Sequence, residues 1–246
     1  MATVELLNLT KQFSDVTAVC DVTLRIDAGE FLALVGPTGC GKTTLLRLIS
    51  GLEAPTGGDV RFDGHSMKDV GPAERRVRMV FQDYALYPHL DVFRERGFSN
   101  LGFPLNLRGE KGEGLRAKVS ALAARAGVLR RLFPRRPREL SSGEQQKVAF
   151  GRALSLPPNV LLLDEPFSNL DAVSRHRAQE ALRADHAEHH VTTLHVTHSL
   201  REAFRLADRV AVMNDGRILQ VDTPERLRTH PASPYVAEFV ESSLCS

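Results

Sequence analysis

The chain has 246 residues, 42% hydrophobic and 25% charged, with 32 Lys+Arg against 30 Asp+Glu and a formal net charge of +2. That is ordinary globular composition, which excludes a disordered, collagen-like or disulfide-stapled chain, and at about 150 residues per domain it allows one or two domains. The charge balance gives no argument for nucleic acid. The longest apolar runs, 31–35 and 160–163, fall far short of the ~18–20 residues of a membrane helix, and residues 1–5 lack the charged and apolar regions of a secretion signal. Cys20, Cys40 and Cys245 are an odd, scattered set. They fit a reducing compartment and neither a disulfide framework nor a metal site.

In chain order, residues 4–9 and 22–26 carry aliphatic and β-branched residues in partial alternation and are predicted as strands. Residues 27–30 form a turn, and the unbroken apolar run 31–35 reads as a strand buried on both faces. A Gly-rich turn leads into a helix from Lys42 to about Ser50, stopped by Gly51. Gly57-Gly58 and Asp63-Gly64 punctuate another strand pair, and 78–81 is a short strand. From 91 to 112 the pattern weakens, broken by Gly97, Gly102, Pro104 and Gly109. An amphipathic helix over 115–127 follows, then a basic, Pro-rich loop at 134–138 read as solvated surface, then a helix over 142–155. Strand 159–163, helix 171–189, strand 192–196, helix 199–207 and strand 210–213 complete the series. Strands alternating with helices argue a parallel sheet covered on both faces.

Two motifs carry chemistry. Gly36-Pro37-Thr38-Gly39-Cys40-Gly41-Lys42-Thr43 fits G-x-x-x-x-G-K-[ST] between a buried strand and a helix, and Thr44 follows in that helix. The glycines let backbone N–H groups curl around phosphate oxygens, and the helix N-terminus adds partial positive charge. Lys42 is placed to reach β- and γ-phosphates, and the Thr43 hydroxyl to hold Mg²⁺. Cys40 has two readings: a thiol activated by these amides and Lys42, or a small residue that fits the loop. The apolar strand before Asp164-Glu165 then delivers two carboxylates to a strand's carboxyl end, where ligands bind in parallel α/β sheets. Asp164 is placed to hold Mg²⁺, and Glu165 to polarise an attacking water as general base.

Between these motifs, Leu140-Ser141-Ser142-Gly143-Glu144-Gln145-Gln146 resembles the signature motif of ATP-binding cassette (ABC) transporter ATPases. The resemblance runs from about Val4 to Val240. It implies an α/β fold of the P-loop NTPase type: a RecA-like parallel sheet core with an N-terminal antiparallel β portion (1–85 and 154–225), an inserted helical subdomain (86–153) and a C-terminal helical tail (226–246), in one nucleotide-binding domain. Phe13 resembles the aromatic that stacks on adenine, with a plain strand-edge aromatic as the alternative. Gln82 is similar to the Q-loop glutamine that senses Mg²⁺ and γ-phosphate, Ser168-Asn169-Leu170-Asp171 to the D-loop at a dimer interface, and His198 to the switch histidine. Ser141, Ser142, Gly143 and Glu144 would face ATP held by a second cassette, so that two ATP molecules are sandwiched head to tail in a homodimer or with a paralogous ATPase subunit.

The segment 81–90 and the stretches 212–218 and 231–240 resemble importer ATPases of the sugar, polyamine and inorganic-anion type. That likeness implies ATP hydrolysis at the cytoplasmic face of the cell membrane and two integral-membrane permease subunits. It also implies an extracytoplasmic solute-binding protein and no direct nucleic acid. Tyr84, Leu86 and Tyr87 are either near the permease contact or plain packing residues. The sequence departs from the family at Ser142 (usually Gly), at Glu144 (usually Gln, with a like charge toward ATP if it points inward) and at 91–100, which is unlike the usual helix. No regulatory β-domain is expected after the cassette. A soluble cassette ATPase of DNA repair or translation is the main alternative, with an exporter ATPase and a binding-only module behind it.

Overall fold

The computed structural model describes residues 1–245; Ser246, the last residue of the expected C-terminal tail, lies outside the described residues. The chain divides into two compact units, one of residues 1–79, 159–165 and 186–246, the other of residues 80–158 and 166–185.

The first unit is built on two sheets. β1 (Val4–Phe13) and β2 (Val16–Ile26) form an antiparallel hairpin, and β1 also pairs antiparallel with β4 (Gly57–Phe62), which carries β5 (His65–Ser66). β1 and β2 are longer than their apolar cores at 4–9 and 22–26. Register shifts after Leu6 and Leu9 let the pair run on through polar residues to the turn at Ser14. The second sheet has strand order β10-β9-β3-β8-β7-β6. β3 (Phe31–Val35) pairs in parallel with β8 (Thr192–Thr197) and β9 (Arg209–Asn214), and β7 (Val160–Asp164) pairs in parallel with β8. β6 (Val77–Val80) lies at one edge.

β3 and β7 are buried along their whole length, which is why 31–35 and 160–163 read as continuous apolar runs; β8 is equally buried although it carries three threonines and a histidine. β10 (Arg217–Asp222) was not expected: it is half exposed, lacks an apolar run, and is joined antiparallel to β9 by a turn with Asp215 and Gly216 both at positive φ. α1 (Lys42–Ser50) packs Leu45, Leu46, Leu48 and Ile49 into the common core with Leu6, Ile26, Leu34 and Leu162. Gly51 ends it in the left-handed region. On β8, the fully buried His195 places Nε2 2.7 Å from Oε1 of Glu202 in α6 (Leu200–Leu206). The tail holds α7 (Pro224–Thr229) and α8 (Pro234–Cys245). Among the described residues no helix is long and apolar enough to cross a membrane.

The second unit is helical. α2 (Phe103–Leu107), α3 (Gly112–Arg125) and α4 (Ser142–Leu154) surround a core that includes Phe93, Leu101, Leu115, Val119 and Val148. Residues 91–102 form no helix. The segment is instead organised by Asn100, whose fully buried amide accepts from Tyr87 N (2.8 Å) and donates to the carbonyls of Tyr87 and Leu90 (3.1 and 2.9 Å). Most of α5 (Ala172–His189) completes this unit, where Arg125 and Asp185 form a two-armed ion pair.

Candidate functional site

The loop from Gly36 to Gly41 joins β3 to α1 and is boxed in from behind. A Cβ on Gly36 would stand 2.1 Å from the Met213 carbonyl oxygen and 2.9 Å from Cys40 Sγ; one on Gly41 would stand 2.1 Å from the Ala18 carbonyl oxygen, and Gly41 has φ +105. Only glycine fits at these two positions. Pro37, Thr38 and Gly39 face solvent, while Cys40, Gly41 and Lys42 are buried. The Lys42 ammonium, 6% exposed, donates to the carbonyls of Gly36 and Pro37 at 2.8 Å each. Among the described residues no carboxylate lies within ion-pair distance of it, so a buried cation is left for an anion to neutralise. Helix α1 has no side-chain cap and no acidic residue in its first turn. Its orphan N–H groups and the lysine therefore look onto one anion-binding cradle. Thr44 is the next, half-buried, residue of the helix.

The strand end completes this site. Thr43 Oγ1 donates to Asp164 Oδ1 at 3.1 Å. Burial raises the Asp164 carboxyl above its usual range, opposed by the Thr43 hydrogen bond, so a divalent cation there would favour its ionised form. The paired hydroxyl and carboxylate oxygens are the hard donors Mg²⁺ takes. Glu165 sits at φ +45, its N–H held by the Val196 carbonyl at 3.0 Å, and its Oε2 lies 3.1 Å from Nδ1 of the exposed His198. A strained backbone that aims a carboxylate at a histidine is the kind of outlier found at working sites. Thus Lys42, Thr43, Asp164, Glu165 and His198 are brought together at the carboxyl end of the sheet, after β3, β7 and β8. Phe13 is 44% exposed at the end of β1, with Lys11 Nζ 4.7 Å from its ring centroid.

Of the two readings of Cys40, burial in the loop favours the small residue that fits there: burial raises this thiol, and Lys42 only partly opposes that. Proximity to amides and a lysine was visible in the sequence, but the enclosure by Gly36 and Met213 was not.

The remaining expected residues lie in the second unit. Gln82 is exposed, and its carbonyl accepts from Asn169 Nδ2 at 3.0 Å, tying its loop to the one around Asp171. Asp171 caps α5, accepting from the N–H groups of Val173 and Ser174 at 3.0 Å each; the Ser174 hydroxyl leads the contacts that lower its carboxyl. Ser141 caps α4 in a closed capping box: its hydroxyl accepts from Glu144 N at 3.3 Å, while Glu144 Oε2 accepts from Ser141 N at 3.0 Å and from the hydroxyl at 3.1 Å. The Ser141 backbone N–H chiefly holds the Glu144 carboxyl below its usual range. Glu144 is therefore a reciprocal cap rather than a free charge, a role that S-x-x-E spacing signals in sequence. Ser142 and Gly143 form the first turn of α4. One residue escaped sequence reasoning: Arg152 donates to the Tyr84 carbonyl at 3.0 Å and lies 5.2 Å from the Tyr87 ring centroid. Burial lowers its guanidinium below the usual arginine range.

The family profile described as ABC transporter matches residues 19–168. The chain belongs to the ABC transporter family. It is 44% identical over 98% of its length to the osmoprotective compounds uptake ATP-binding protein GgtA of Synechocystis, and 46% identical over 98% to the maltose/maltodextrin import ATP-binding protein MalK of Salmonella typhimurium. It spans 65% and 64% of the lengths of those two relatives. The dimeric structure of MJ0796, a bacterial ABC transporter cassette, matches with a TM-score of 0.80 at 30% identity, covering 90% of this chain and 98% of that one. The fold is accordingly that of an α/β P-loop NTPase cassette.

Proposed function

We propose that the chain is the ATP-hydrolysing motor subunit of a membrane importer of a small solute. The carrying observation is the chain of contacts from the buried, carboxylate-free Lys42 through Thr43 and Asp164 to the Glu165–His198 pair. Gly36, Pro37, Thr38, Gly39, Cys40, Gly41, Lys42, Thr43 and Thr44 hold the phosphates, and Phe13 stacks on adenine. Thr43, Asp164 and Gln82 would hold Mg²⁺, which would supply charge neutralisation to the phosphates. Glu165 takes the proton of the attacking water, and His198 positions that carboxylate and the terminal phosphate.

Ser141, Ser142, Gly143 and Glu144, in the helical subdomain taken as 86–153, meet the nucleotide of a second cassette, with Asp171 at the same interface. The names of the relatives, uptake and import ATP-binding proteins, support the transport half of the reading. Two permease subunits, a solute-binding protein and a place at the cytoplasmic face of the membrane belong to the same proposal. A dimeric cassette solved with ADP and Pi bound supports the sandwich.

Glu165→Gln tests it. The variant is expected to bind ATP as the parent does, to turn it over about 10²–10⁴-fold more slowly, and to be retained as a dimer. Tagged in its native host and solubilised from membranes with ATP and Mg²⁺, it should bring down multi-span subunits. Parental turnover would overturn the general-base assignment. A purely soluble dimer would move the protein to the non-transport cassette ATPases.

A further inference from the structure

Residues 94–138 carry twelve Lys or Arg against three Asp or Glu, so the near-neutral chain hides a segment of +9 balanced by −7 elsewhere. Part of that excess converges on a cleft of about 240 Å³ in the helical unit, lined by Arg94, Glu95, Arg116, Ser120 and Arg130 over the rings of Phe93 and Phe133. We propose that this cleft is a binding site for a phosphate-bearing anion, gripped by Arg94, Arg116 and Arg130.

The site is built rather than incidental. Its floor is two chain segments bonded backbone to backbone, Val92 N to Arg135 O at 2.8 Å and Phe93 N to Phe133 O at 2.9 Å, with the two phenyl rings edge-on at 5.3 Å. Arg116 and Ser120 stand one turn apart on α3, and Arg130 opens the short 3-10 turn that follows. Cations outnumber anions around it. Arg94 and Arg136 share the single carboxylate of Asp91, and Arg116 pairs with Glu95 at 3.1 Å. Among the described residues Arg130 has no carboxylate partner. Like charges held this close repel, and a counterion removes the repulsion. Guanidinium forks arriving from three elements match the several oxygens of a tetrahedral oxyanion better than the two of one carboxylate. The volume also leaves room for the organic group carrying it. Apolar walls below charged rims suit either a soluble phosphate ester or the headgroup of an anionic lipid.

Two probes separate those sources on the full chain. Inorganic phosphate is titrated while the arginine Nε resonances are followed, and flotation is measured with phosphatidylglycerol/phosphatidylcholine vesicles against pure phosphatidylcholine. Saturable shifts at Arg94, Arg116 and Arg130 with free phosphate identify a soluble ligand. Flotation with anionic vesicles alone, without those shifts, identifies a headgroup. In either case Arg94→Gln/Arg116→Gln/Arg130→Gln should weaken binding about a hundredfold, three charges' worth. Arg25→Gln/Arg217→Gln/Arg226→Gln, which removes equal charge elsewhere, should change it less than about threefold. The single Arg130→Glu, which breaks no ion pair, should weaken binding strongly while leaving the melting temperature unchanged. Equal losses in the two triple variants, or no binding of either probe, would overturn the proposal.

Discussion

Helices α1 and α4 both begin at an expected phosphate contact, yet their first turns are finished in opposite ways. α1 starts at a left-handed Gly41 with no capping side chain and no acidic residue, over a buried lysine. α4 starts at Ser141 with the capping box closed and the Glu144 carboxylate already on the Ser141 N–H and hydroxyl. The first leaves its orphan donors and positive charge for an external anion; the second supplies its own. A helix N-terminus is thus only as receptive as its caps allow. The open one requires enclosing structure, which Met213 and Ala18 provide.

The sharpest way to break the open end is Gly41→Ala. The new methyl would meet the Ala18 carbonyl at 2.1 Å in a left-handed backbone conformation. Strain and overpacking together should cost about 3–5 kcal/mol. Chemical denaturation should show that loss, with nucleotide binding abolished. The Gly143→Ala counterpart, whose Cβ meets nothing nearer than 3.9 Å, should be stable to within about 1 kcal/mol. Equal losses would show that α1 is no more constrained than α4.

Next in size, Asp164→Asn probes the cation end of the same site. Its carboxyl is raised by burial, so its ionised form destabilises the nucleotide-free fold; the relative stability lost appears as pH rises through the raised value. The variant should therefore melt several degrees higher at neutral pH, a gain of about 1 kcal/mol that vanishes in acid, while Mg²⁺-dependent nucleotide affinity drops at least tenfold. A variant less stable than the parent at pH 7 would show that Asp164 carries no electrostatic penalty.

The two helix starts also differ in how much of them the sequence disclosed. The Gly36–Thr43 spacing and the acid pair at the end of β7 are local patterns set by chemistry and legible in residue order, whereas His198 is named through the family resemblance. Residue order leaves two readings of Cys40 open because its pKa depends on burial in the folded loop, which no local pattern reports. The ordering of 91–102 rests on one buried amide, Asn100, bonding back to Tyr87 and Leu90. No periodicity encodes that. β10 has no buried position, only half-buried and exposed ones, and exists because β9 offers it an edge. Glu144 is a different case: S-x-x-E is a local signal, but its place in a nucleotide motif drew attention to its charge instead of its cap.

The smallest effect tests the closed end directly. Glu144→Gln keeps an acceptor oxygen for the Ser141 N–H and hydroxyl but removes the charge from the α4 N-terminus, and should cost about 0.5–1 kcal/mol at pH 7. Because the parent carboxyl lies below its usual range, it contributes stability above the unfolded-state value of about 4.3, and this fades as pH falls through the lower folded value. Parent and variant melting curves should therefore converge below about pH 4 and separate above it. If instead they stayed separated in acid, the loss would be one of shape and not of charge, and α4 would not be closed by its own anion. If the variant were also to form the ATP-bound dimer at lower nucleotide concentration, the capping carboxylate would be the group an incoming phosphate has to displace.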